Sequence, residues 1–217
     1  AKPNAHYGVR MMQSTTLDDL DTGDIVLYWG YHALHLRQQE VTGCPWSQVG
    51  LIFRIPGECQ PLVFESTKLS ECKDVRTGCV IRGVQLVRFD DRQVSFDGKV
   101  AVRKLRPALS SRQLMELTRF VQEVHGLPFN ESRFAAARAF CRRNSATDHS
   151  SFFCSELVSE AYQRMGVLSV PPNGLSSNNF IPADFSSAYS EAYLPLRQRY
   201  RLGTERILPP MSGGPND

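Results

Sequence analysis

Short apolar runs closed by turn residues fill the first half of the chain, and longer stretches with helical spacing fill the second. Ile25 to Tyr28 follows a Thr22-Gly23 turn signal, and Val49 to Phe53 and Pro61 to Phe64 are separated by the turn dipeptide Pro56-Gly57. Val84 to Arg88 and Val100 to Leu105 alternate apolar with polar residues, and Asp97-Gly98 between them is a hairpin signal. These segments read as strands. Beyond them, Ser110-Ser111-Arg112-Gln113 fits a capping box, and Leu114, Leu117, Val121 and Val124 recur at three- and four-residue steps before Gly126. Phe134, Ala137 and Cys141 suggest a shorter helix, and Leu157, Val158, Ala161, Tyr162 and Met165 give a third, closed by Gly166. Strands first and helices after predict an α+β fold with an antiparallel sheet.

Composition narrows the picture. A hydrophobic fraction of 41% over 217 residues is enough for one real core, so the chain is not disordered as a whole. The first residues, 1–17, and the last, 207–217 with Pro209-Pro210 and Gly213-Gly214-Pro215, are polar or rich in turn formers. They read as loose ends around one domain spanning 18–206. The longest unbroken apolar run, Ile25 to Trp29, is far short of a membrane span, so no transmembrane segment is expected. A net charge of +3 does not point to nucleic acid. The six cysteines show no C-x-x-C pair and no zinc-finger spacing, which predicts no metal site and no cofactor, and reduced thiols in the cytoplasm.

Cys154 is a candidate nucleophile, with packing as a small buried apolar side chain as its alternative use. In Ser150-Ser151-Phe152-Phe153-Cys154-Ser155-Glu156-Leu157 it falls at the start of the third helix. Backbone N–H groups and the positive dipole end there favour a thiolate, so a lowered thiol pKa is expected. Glu156 in the first turn is favoured by the same dipole without any catalytic role.

Three segments together resemble the circularly permuted NlpC-like cysteine hydrolases, a papain-related group that includes the YiiX-like amidases. They are Leu20 to Tyr28; Trp46-Ser47-Gln48-Val49-Gly50-Leu51 with the strand ending Val63-Phe64-Glu65-Ser66; and Phe153-Cys154-Ser155-Glu156-Leu157-Val158 with Pro182-Ala183-Asp184. Their order, base motif first and cysteine helix last, is the permuted one, and the resemblance spans about residues 18 to 186. It implies a permuted papain-like fold, Cys154 as nucleophile, a base at position 48 and Glu65 orienting that base. It also implies a peptide-like or acyl-lipid substrate, attacked at an amide, ester or thioester carbonyl to give an acyl-enzyme.

The sequence departs from the pattern at the base, where the family's His is Gln48. An amide does not take up a proton at neutral pH, so Gln48 cannot deprotonate the thiol, although its N–H2 can donate to an oxyanion. Three readings stay open: an introduced His-to-Gln change that traps substrate, a natural loss of catalysis with ligand binding kept, or service by another histidine. His32 and His35, read as loop residues after the first strand, His125 and His149 are the candidates. Tyr28, Trp46 and Phe153 are candidate substrate-binding residues, with core packing as their alternative use. Arginines gather late, at Arg133, Arg138, Arg142, Arg143, Arg197, Arg199, Arg201 and Arg206, as a solvated face or a holder of an anionic substrate group.

Overall fold

The computed structural model describes residues 17–131 and 150–210. The helix expected around Phe134 to Cys141, His149 and the arginines from Arg133 to Arg143 lie outside them, as do most of the residues read as loose ends. The architecture is α+β. Strands β1 (Ile25–Gly30), β2 (Gln48–Phe53), β3 (Leu62–Thr67), β4 (Gly83–Arg88), β5 (Gly98–Arg103) and β8 (Arg206–Ile207) form one antiparallel sheet in the order β4-β3-β2-β1-β5-β8. A second, small sheet pairs β6 (Leu105–Arg106) with β7 (Arg201–Leu202).

Both faces of the large sheet are covered, which is why its central strands read as continuous apolar runs rather than as alternation. On one face, α3 (Ser111–Val124) and α4 (Cys154–Arg164) pack through Phe120, Leu157, Val158 and Tyr162 onto Leu27, Val49, Leu51 and Phe64. On the other, α2 (Phe89–Ser95), Leu20 and Leu208 cover Val26, Tyr28, Ile52 and Val63. Gly50 is needed in β2 because a Cβ there would stand 2.8 Å from Val63. The capping box of α3 is present, with Ser110 N–H donating to Gln113 Oε1 at 3.0 Å. α4 stops where expected, at Gly166 with φ 68°.

Two expectations need correction. Val84–Arg88 and Val100–Arg103 do not form a hairpin: α2 lies between them, and β5 crosses to pair with β1 on the far side of the sheet. Gly98 marks that entry rather than a tight turn, since its backbone runs against Trp29, whose carbonyl oxygen would stand 2.1 Å from an added Cβ. The segment after β1 is not a loop but α1 (Ala33–Thr42), capped by His32, whose Nδ1 accepts from Leu34 N–H at 3.3 Å. Its apolar Leu34, Leu36 and Val41 are all exposed and His35 is its buried residue, so no apolar stripe announced it.

Candidate active site

α4 begins where β2 and β3 bring polar residues to the cavity at the end of the sheet. Phe153 precedes the helix, and its N–H donates to Glu156 Oε2 at 3.3 Å, so Glu156 caps the first turn. Ser155 Oγ donates to Phe180 O at 2.8 Å, and Ile181 N–H donates to Asp184 Oδ2 at 2.9 Å. The Pro182-Ala183-Asp184 segment thus braces the start of the helix rather than facing the cavity.

Cys154 is the first residue of α4 and is 8% exposed. The expected lowering of its pKa is not found. Burial pushes the thiol up to about 11, and the Glu65 carboxylate adds to this, against the backbone N–H groups of Val49, Ser155 and Cys154 itself. A helix end lowers a thiol pKa only while the thiolate keeps enough polar company, and here desolvation wins.

Gln48 and Glu65 stand together on the sheet. Alternation along β2 and β3 sends Val49 and Phe64 under α4 and turns Gln48 and Glu65 to the opposite face. Gln48 Nε2 donates to Glu65 Oε2 at 2.6 Å, and Thr67 Oγ1 donates to Gln48 Oε1 at 3.3 Å. Both ends of the amide are therefore held. Glu65 is fully buried. Its other oxygen accepts from Gln85 Nε2 at 2.9 Å and from Arg92 Nε at 2.8 Å. Gln48 and Cys154 both line one cavity of about 200 Å³, with Leu34, His35, Leu69 and Phe129 on its other walls.

Of the other histidines, His35 shares this cavity. Its Nδ1 is 2.8 Å from Ser47 Oγ, and burial holds its pKa down at about 4, so the ring is neutral at pH 7. The ring fills the space that Gly30 leaves open, where a Cβ would come within 2.3 Å of His35 Cδ2. His125 is engaged elsewhere, with Nε2 2.8 Å from Asp74 Oδ2.

The candidate substrate residues are spread more widely than expected. Tyr28 lies beneath α2 on the opposite face, tilted at 57° against Phe96, with the Arg92 guanidinium over its ring. Trp46 packs into the core edge-on to Trp29. Phe153 meets Phe129, a wall of the cavity, edge-on at 5.8 Å. The late Arg197, Arg199 and Arg201 are exposed. Sequence reasoning missed Arg92, although a buried Glu65 requires a cation nearby, and it missed the helical position of His35.

Comparison with known proteins meets this geometry at the level of fold. No family model matches the sequence, and no curated protein sequence matches it. Among solved structures, the metalloprotein YiiX of Escherichia coli O157:H7 superposes with a TM-score of 0.53 over 87% of this chain and 98% of that one, at 18% identity. The chain is similar in fold to YiiX. Among the described residues no group of three or more His, Cys, Asp or Glu side chains is placed to hold a metal ion. Cys44, Cys59, Cys72, Cys79 and Cys154 are free thiols, and no helix among the described residues is long and apolar enough to cross a membrane.

Proposed function

We propose that the chain is a permuted papain-like cysteine-hydrolase fold whose Cys154 cleft receives an amide, ester or thioester carbonyl, with the base position taken by Gln48. The reading is carried by one observation: Gln48 bonds Glu65 at 2.6 Å on the wall of the cavity that Cys154 also lines. The resemblance expects a base at this position with an acidic partner, and Gln48 keeps that partner. In such a cleft the thiol gives up its proton and attacks the carbonyl, and a C–S bond forms as the carbonyl–leaving-group bond breaks. The leaving group takes a proton from water, and a second water hydrolyses the acyl-enzyme to regenerate the thiol. Gln48 supplies no proton, and a thiol held near 11 is a poor nucleophile at pH 7, so the unaltered chain binds its ligand and turns it over slowly. One N–H of Gln48 is held by Glu65, and the second is a donor for the bound carbonyl oxygen.

The alternative, a module that binds a peptide or lipid ligand or a protein partner with no turnover at all, is favoured by the raised thiol pKa. Replacing Gln48 by His separates the two. Gain of Cys154-dependent hydrolysis of an activated thioester supports the first reading, and no gain supports the second.

A further inference from the structure

A second cavity, of about 500 Å³, shares His35, Lys68 and Leu69 with the one that holds Cys154. Arg92 is part of its lining although its side chain is only 3% exposed. The guanidinium is fixed on three sides. Nε donates to Glu65 at 2.8 Å, and the group lies 4.8 Å from the Tyr28 ring centre and 5.1 Å from that of Phe96. Its terminal nitrogens make no hydrogen bond among the described residues and keep some exposure, so they can be reached from the cavity that Arg92 lines. A guanidinium held so rigidly is prepared to meet a ligand without losing further side-chain freedom.

The charges nearby narrow the ligand. Lys68 and Arg82 line the same cavity, and so do Glu71 and Asp97. Arg82, Glu71 and Asp97 are all exposed and screened by water, and half-buried Lys68 also pairs with Glu131 at 3.6 Å, so Arg92 is the cation the site depends on. With Arg92 already balanced by Glu65, the lining suits one negative charge better than two. Paired N–H groups in a plane suit a planar carboxylate.

We propose that this cavity is a carboxylate-binding subsite, with Arg92 as its forked donor and Lys68 and Arg82 in support. Together with the adjoining Cys154 cleft it selects an acyl or peptidyl compound bearing a free carboxylate. The choice of compound, though not the carboxylate site itself, rests on the reading of the Cys154 cleft given above.

The test titrates the full chain and its C154S variant with N-acetyl-alanine, with the neutral N-acetyl-alanine amide and with inorganic phosphate. The readout is the NMR shifts of the Arg92 side chain and of the Leu69 and Asp97 amides. Saturable shifts are expected with the carboxylate in both proteins, and binding about tenfold weaker for the amide, the loss of one charge-assisted hydrogen-bond pair. R92K, which keeps the charge but not the fork, should lose about tenfold in carboxylate affinity. Should R92K not fold, the surface pair K68Q with R82Q carries the same test and should also weaken binding. Equal binding of amide and carboxylate, no saturable shift, or tighter binding of phosphate would overturn the subsite. If the carboxylate binds while Q48H gains no turnover, the subsite stands and the link to Cys154 chemistry falls.

Discussion

Gln48 donates to Glu65 at 2.6 Å with both partners buried, so the amide that lines the same cavity as Cys154 is tied to a carboxylate lying behind the cavity wall. The carboxylate does not depend on the amide for its place. Arg92 and Gln85 hold the other oxygen, which keeps Glu65 oriented whatever stands at position 48.

Thiol reactivity follows from burial. With its pKa pushed up to about 11, Cys154 should react slowly with iodoacetamide at pH 7 to 8 and speed up only as the pH climbs toward that value. Peptide mapping separates it from the exposed Cys59 and Cys79. The sign for stability is the same. An unfolded thiol ionises near about 8.5, so the contribution of Cys154 is intact below that pH and is lost between there and about 11. Full labelling of Cys154 below pH 8 would contradict the assignment.

The Glu65–Arg92 pair is predicted to be strongly coupled. Replacing Arg92 by Met leaves a buried carboxylate without its cation, and unfolding free energy should fall by about 3 to 5 kcal/mol. Adding E65Q to R92M should recover part of that loss, because the uncompensated charge is gone. Urea unfolding of the single and double variants measures it, and simple additivity would rule out the coupling.

How far all this was legible in the sequence depends on the range of the interaction. β1 to β3 announced themselves as apolar runs, α3 by its capping box, and α4 by its spacing and Gly166, because each signal is local. α1 gave no such signal, since it buries little besides His35. The crossing of β5 to β1 was hidden because strand order depends on contacts far apart in sequence. The resemblance singled out Cys154, Gln48 and Glu65, of which Cys154 and Gln48 line one cavity, but it did not give the direction of the thiol pKa. That is set by desolvation, which depends on what packs around the helix start. Arg92 stayed invisible because its role depends on a partner 27 positions away and on the ring of Tyr28 from β1, besides Phe96 at the end of its own helix.

Acid sensitivity should trace to Asp74. Burial by itself would raise its pKa, but bonds from Leu86 N–H, His125 and Thr77 N–H outweigh this and hold it below the usual range. A depressed carboxylate stabilises the fold above its unfolded pKa of about 3.9 and loses that contribution as the pH falls through the folded value. D74N should lower stability at pH 7 and flatten its dependence below about pH 4. Parallel acid-unfolding curves for the two proteins would contradict this.

The most direct test is to restore an imidazole at position 48. In Q48H, Glu65 remains held by Arg92 and Gln85 and can orient the new ring beside Cys154. Hydrolysis of an activated thioester should then rise by about a hundredfold or more over the unaltered chain and disappear again in Q48H with C154S. A folded Q48H protein with no gain in rate and no acyl adduct on Cys154 by mass spectrometry would contradict the account.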